Sequence, residues 1–267
     1  MPLVRFPLVL LPIWCLLGAD QPVPRVAPFY SAASIVNAAD NQSGQLAPNT
    51  IGTIYGTNLA YSTAAIGQND IRGGVLPIML GASETTVLIN YSPAGLFYVS
   101  PTQINFLVPP NLTPGPVSVY VDVDGWYGPI IQLTLGAAAP GLFQLDAQNA
   151  VATLADGSVL TPSSPAKPGD IVILWATGLG QTTAPEEDLP LQVPTAAWPL
   201  VASLSVLLDG VAVDPSGIAY AGQAPGFAGL YQINFALPES TAANPEIRLQ
   251  VDGAISIPKV YLPVMLN

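Results

Sequence analysis

Histidine is missing altogether from these 267 residues. Its absence removes the commonest general base, the commonest zinc ligand and the side chain that switches charge near neutral pH. A Ser-His-Asp triad is excluded, and no G-x-S-x-G elbow is present. Six basic residues stand against 17 acidic ones, for a net charge of −11. Nucleic acid binding needs clustered Lys and Arg to displace counterions, and no such cluster exists. An anionic membrane surface repels the chain for the same reason. Sustained helical periodicity with caps is also lacking. The 24 glycines and 29 prolines spaced along the chain suit short strands and tight turns instead.

Cysteine occurs once, at Cys15. It sits in a leader with Arg5 ahead of the apolar run Leu8–Leu17 and small residues at Gly18-Ala19. This pattern predicts a secretory signal over residues 1–19, with Asp20 as the first mature residue. The run is short of the ~20 residues of a membrane span, so no span is expected in the mature chain. Trp14 before Cys15 argues against lipid attachment. The expected location is outside the cytoplasm: periplasmic, cell-surface or extracellular. A mature chain without cysteine is held by its core alone.

What the chain does contain is one phrase stated twice. Residues 103–109 read Gln-Ile-Asn-Phe-Leu-Val-Pro, and residues 232–238 read Gln-Ile-Asn-Phe-Ala-Leu-Pro. Thr53-Ile54-Tyr55-Gly56-Thr57-Asn58-Leu59 pairs likewise with Ile173-Leu174-Trp175-Ala176-Thr177-Gly178-Leu179. The first pair lies 129 residues apart and the second 120, so the second copy carries about nine extra residues. The repeat logic assigns them to a loop at 184–199. Val117–Val123 alternates with period two and ends at Asp124-Gly125, and Ile247–Val251 repeats the plan before Asp252-Gly253. The expected fold is therefore all-β: two tandem immunoglobulin-like antiparallel sandwiches from an internal duplication. The expected boundaries are a signal at 1–19, a leading segment plus first sandwich at 20–145, and a linker hairpin plus second sandwich at 146–267.

Candidate site residues follow from that frame. Gln103 and Asn105, with Gln232 and Asn234, lie opposite the apolar face of the repeated strand and are expected to satisfy backbone groups of a neighbouring loop. Asp122 and Asp124 form a fragment of a calcium loop, but the remaining oxygen ligands are missing, so a turn is the reading preferred. Trp126, Tyr127 and Trp198 are candidates for stacking on sugar rings, but packing onto the sister unit is the reading preferred. Ser164-Pro165-Ala166-Lys167 has S-x-x-K spacing, but its prolines preclude the helical turn this chemistry needs. Glu186-Glu187-Asp188 reads as a solvated loop. No cofactor is expected. The leading function is a non-catalytic structural or binding module with a protein or polysaccharide partner. Its alternatives are a carbohydrate-binding module using exposed aromatics, and a hydrolase using carboxylates or a metal. A ligand is expected at the domain junction or on loops such as 184–199 and 124–128.

Several phrases also carry a family resemblance. Ser31-Ala32-Ala33-Ser34, Gly56-Thr57-Asn58-Leu59-Ala60, Leu96-Phe97-Tyr98-Val99-Ser100-Pro101, Ala139-Pro140-Gly141-Leu142-Phe143, Pro168-Gly169-Asp170 and Ala224–Phe235 resemble the Solibacter-type C-terminal domain family of acidobacterial exported proteins. The likeness runs from about residue 30 to the end. Each half also resembles a diverged IPT/TIG domain. These resemblances imply an immunoglobulin-like fold and an exported location, and they supply no catalytic residues.

Overall fold

The computed structural model describes residues 25–82, 84–184 and 190–265. The expected leader lies outside them. The fold is all-β, with two units of two sheets each, as the duplication requires. In the first unit the strands are β1 (Ile35–Asn37), β2 (Ile51–Tyr55), β3 (Ala64–Ala65), β4 (Thr86–Ile89), β5 (Ser92–Pro93), β6 (Gly95–Val99), β7 (Gln103–Leu107), β8 (Gly115–Val123), β9 (Trp126–Tyr127) and β10 (Ile131–Leu135). One sheet runs β1-β2-β7-β6-β3. The other runs β10-β8-β4-β5, with β9 also on β8. The second unit has β11 (Gly141–Leu142), β12 (Ala152–Leu154), β13 (Ile171–Thr177), β14 (Trp198–Pro199), β15 (Leu204–Leu208), β16 (Val211–Ala212), β17 (Ile218–Gln223), β18 (Tyr231–Ala236), β19 (Ile247–Val251) and β20 (Ala254–Ile255). Its sheets run β11-β13-β18-β17-β14, with β12 on β13, and β16-β15-β19-β20.

The repeated phrase forms the central strands β7 and β18. Ile104, Phe106, Ile233 and Phe235 are wholly buried, as period two demands. In each unit the neighbouring strand carries one extra residue opposite the Asn-Phe pair: Phe97 on β6 and Ala219 on β17. A bulge of this kind turns the strand over. It explains how Leu96 and Val99, three residues apart, are both fully buried. Alternation alone does not reveal such an insertion.

The hairpin turns recur as well. Asp124-Gly125 and Asp252-Gly253 both have positive φ at the two central residues. That is the mirror-image turn whose twist matches the flanking strands. Asp156-Gly157 closes the expected hairpin between Ala152 and Leu160, which exchange a backbone hydrogen bond of 2.8 Å.

The boundary differs from the one expected near residue 145. Leu142 pairs with Ala176 on β13 and is buried in the second core, while Leu135 belongs to the first. The crossover therefore falls at about Gly136–Ala138. Within the apolar run Ala137–Phe143, Gly141–Leu142 pairs with β13 as the short strand β11.

The units are packed together. Leu76 and Leu107 of the first meet Leu191 and Ala228 of the second in a separate apolar cluster, flanked by Ile51, Phe97 and Val193. The segment Leu191–Val193 is the fastener. Leu76 N–H donates to the Leu191 carbonyl at 3.0 Å and Val193 N–H to that of Gly74 at 2.8 Å, with Val75 opposite Gln192. The insertion expected at 184–199 is not there: the β4–β5 and β15–β16 turns lie no further apart than the opening segments Thr53–Leu59 and Ile173–Leu179, so the extra residues fall after them, chiefly between β17 and β18, where Ala228 joins the cluster.

Candidate binding surfaces

The repeated amides are half-buried on the outer face of β7 and β18. They bond to each other rather than to a neighbouring loop. Gln103 Nε2 donates to Asn105 Oδ1 at 2.9 Å, and Gln232 Nε2 to Asn234 Oδ1 at 2.8 Å. Asn105 Oδ1 also accepts the Thr53 hydroxyl from β2 at 3.1 Å. Residues two apart on a strand share a face, so the amides satisfy one another locally.

Asp122 and Asp124 are both engaged. Asp122 Oδ1 accepts the Gly125 N–H at 2.8 Å, which closes the turn. Asp124 Oδ2 lies 2.7 Å from Arg25 Nη1. Among the described residues, no three of His, Cys, Asp and Glu are grouped to hold a metal ion. Asp146 accepts the Asn149 side-chain amide, and Asp156 and Asp214 accept the hydroxyls of Ser158 and Ser216; these bonds, then the backbone N–H groups of the same turns, hold the three carboxyls below the ordinary value. Glu186, Glu187 and Asp188 lie outside the described residues.

The three candidate aromatics do not form one surface. Trp198 is 7% exposed, on β14 opposite Gln223, and not on an open loop. Trp126 lies opposite Val123 and Tyr127 opposite Asp122. Adjacent strand residues point to opposite faces, so Trp126 and Tyr127 are parted. Tyr127 instead joins two tyrosines that the sequence reading did not single out. Tyr120, from the middle of β8, has ring centroids 6.2 Å from both Tyr91 and Tyr127, with interplanar angles of 70° and 55°. Tyr91 is 79% exposed and Tyr127 62%. The inner face of β8 is filled by Val117, Val119, Val121 and Val123, which forces Tyr120 outward. Partial burial, then nearby Tyr91, Tyr127 and Asp122, push the Tyr120 phenol above its ordinary value of 10.0.

Tyr91 is held there at a cost. Asn90 and Tyr91 occupy the β4–β5 turn with φ of 49° and 66°. The second unit places Asp209-Gly210 in the matching β15–β16 turn. Glycine takes this conformation freely, whereas a tyrosine there is strained by roughly 1–2 kcal/mol. The usable signal in the sequence was this substitution of tyrosine for a turn glycine.

No curated protein matches the chain. Among solved structures, a surface glycan-binding protein from Prevotella bryantii aligns over 86% of this chain and 41% of its own, at 14% identity and a TM-score of 0.25. The chain thus spans less than half of that protein's length. Among the described residues, no helix is long and apolar enough to cross a membrane. Residues 35–138, which contain every strand from β1 to β10, match the sequence model of the IPT/TIG domain family.

Proposed function

We propose that this is an exported, non-catalytic binding module that holds a neutral polysaccharide on the tyrosine face of its first unit. The observation that carries the reading is Tyr91, kept in a backbone conformation suited to glycine and set beside Tyr120 and Tyr127. Residues that hold strained conformations cluster where they are used. Sugar rings have apolar faces that stack on aromatic rings, while phenol hydroxyls reach the ring substituents. Twisted rather than coplanar rings suit a chain that turns along its length. The leader expected at 1–19 and the resemblance to acidobacterial exported proteins support a location outside the cytoplasm.

Affinity electrophoresis through gels holding soluble polysaccharides (xyloglucan, galactomannan, mixed-linkage glucan, xylan and pectic galactan) tests the reading. At least one polysaccharide should retard the wild-type protein and a Phe227→Ala control, which removes an exposed aromatic of the second unit, while Tyr91→Ala/Tyr127→Ala migrates freely. Free migration of the wild type in every gel, or equal retardation of the double variant, rejects it.

A further inference from the structure

The three tyrosine rings cross the outer face of the β10-β8-β4-β5 sheet on a diagonal, and polar side chains stand on both flanks of that line. Residues opposite one another on paired strands share a face. Asp122 of β8 lies opposite Tyr127 on one side and Thr86 of β4 on the other. It is two residues from Tyr120 on the same strand, so both point outward. Its charge contributes, after burial and the other two tyrosines, to the raised value of the Tyr120 phenol. Beyond Tyr120, Gln132 of β10 lies opposite Ser118 and is exposed.

Asp122 is the one charged residue of β8. Its neighbour Asp124 is neutralised by Arg25 at 2.7 Å, whereas Asp122 has no ion pair among the described residues. Oδ1 of Asp122 accepts the Gly125 N–H at 2.8 Å. Its Oδ2, the Thr86 hydroxyl and the Gln132 amide make no hydrogen bond among the described residues.

We infer that Asp122 is the specificity determinant of the tyrosine face, accepting hydroxyls of a sugar ring stacked on Tyr120 and Tyr127 and repelling chains that carry carboxylates. The inference rests on the polysaccharide reading above and assigns the residue that enforces neutrality. An ionised carboxylate only accepts hydrogen bonds, and sugar hydroxyls donate them. Such charge-assisted bonds are stronger than neutral ones. A uronate at the same place would set a second carboxylate against the first, and like charges at close range oppose one another. Gln132, on the other flank, offers both a donor and an acceptor. The two edges of a stacked ring therefore meet different groups, which favours one direction of the chain across the sheet.

The test is isothermal titration with galactomannan, mixed-linkage glucan and xyloglucan, each as the neutral polymer and after oxidation of part of its primary hydroxyls to carboxylates, and with arabinoxylan beside glucuronoxylan. Four proteins are compared: wild type, Asp122→Asn, Asp252→Asn and Tyr91→Ala/Tyr127→Ala. Asparagine at 122 keeps an oxygen for the Gly125 N–H, so the turn stays and the charge goes. Asp252→Asn removes the same charge from an exposed turn of the second unit. Wild type should bind at least one neutral polymer roughly tenfold or more tighter than its carboxylated counterpart, about 1.4 kcal/mol. In Asp122→Asn the neutral polymer should bind about threefold or more weaker, and the preference should shrink by a similar factor or more. Asp252→Asn should behave as wild type. Added salt should also narrow the wild-type preference, since Asp122 is only half-buried. A preference that is missing in wild type, unchanged in Asp122→Asn, or narrowed equally in Asp252→Asn overturns the inference. If neutral binding is lost in the tyrosine variant but unaltered in Asp122→Asn, this inference fails alone. Absence of any binding by wild type removes the tyrosine reading with it.

Discussion

The hydroxyl of Thr177 accepts the backbone N–H of Ile51 across the unit boundary at 2.9 Å. The same hydroxyl donates to the Gly229 carbonyl at 2.7 Å, and Thr177 is wholly buried. One side-chain oxygen therefore ties β2 of the first unit to β13 and the turn before β18 in the second. Thr177→Val keeps the shape but leaves an N–H and a carbonyl unpaired. Leaving one such group unsatisfied costs about 1–3 kcal/mol. Urea unfolding should show a loss of that size, with earlier cleavage near the junction in limited proteolysis. Thr177→Ser should recover most of it. A Val variant as stable as wild type would mean that the bridge contributes nothing.

Gly178, one residue on, is equivalent to Asn58 in the first copy. Both have positive φ, 76° and 57°. Asparagine tolerates that region, so conformation alone does not require glycine at either site. Packing does so at Gly178, where an added Cβ would lie 2.1 Å from the Ala139 carbonyl oxygen. Gly178→Asn, the residue of the first copy, should therefore destabilise by at least about 3 kcal/mol, above the ~1–3 kcal/mol of ordinary overpacking. Asn58→Gly should cost no more than about 1 kcal/mol. Comparing the two denaturation midpoints checks this; equal effects would show that the close approach is relieved by a small shift.

Much of the fold was legible because it is local. Turn dipeptides, period-two strands and the duplication all depend on neighbours in sequence. Tyr91 joins Tyr120 and Tyr127 only because β4 pairs with β8, a non-local fact. Trp198 read as a loop residue because a two-residue strand has too little pattern to detect. The clue to the junction was present in the repeated phrase. Leu107 and Ala236 hold the same place after Gln-Ile-Asn-Phe, on the outer face where a leucine needs cover. The second unit covers Leu107, which is 1% exposed, whereas Ala236 stays half-buried.

That asymmetry yields a paired prediction. Leu107→Ala empties part of the inter-unit cluster and should destabilise by about 2–5 kcal/mol, the range for buried leucine truncations. Ala236→Leu restores the repeat on a partly exposed face and should change stability by less than about 0.5 kcal/mol. Thermal melts of the two single variants decide the matter. A small effect of Leu107→Ala would remove the apolar cluster as a source of docking energy.

Asp40 is 8% exposed, and among the described residues its Oδ2 has no hydrogen-bond partner. Oδ1 accepts the Gln42 N–H at 3.0 Å. Burial outweighs that bond and raises the carboxyl above its ordinary value of 3.8. A raised native value means that the protonated form is favoured in the folded state. Its contribution to stability is full below 3.8 and is lost as pH rises through the native value. Asp40→Asn should thus stabilise the protein at pH 7 by about 1 kcal/mol, at the low end of the cost of an unsatisfied buried group. The gain should vanish when both proteins are unfolded in urea well below pH 4. Asp146, Asp156 and Asp214 act in the opposite direction but are common to both, so the difference isolates Asp40. A gain that is independent of pH would indicate packing and not charge.

Tyr30 fastens the leading segment to the first sandwich. Its hydroxyl accepts the Val121 N–H and donates to the Pro129 carbonyl, both at 2.8 Å. Its ring lies so close to Gly128 that a Cβ there would fall 2.5 Å from it. Burial pushes the phenol up to about 12, with the Val121 bond partly offsetting it. Tyr30→Phe keeps the ring and strands the Val121 N–H, so a loss of about 1–3 kcal/mol is expected near neutral pH. Above pH 10 the phenol of the unfolded chain ionises first, so the stability due to Tyr30 is lost as pH climbs towards about 12. The gap between wild type and Tyr30→Phe should therefore narrow across that window. Chemical unfolding at pH 8 and pH 11 measures it, and a gap that stays constant would show that the hydroxyl is free to ionise without disturbing β8.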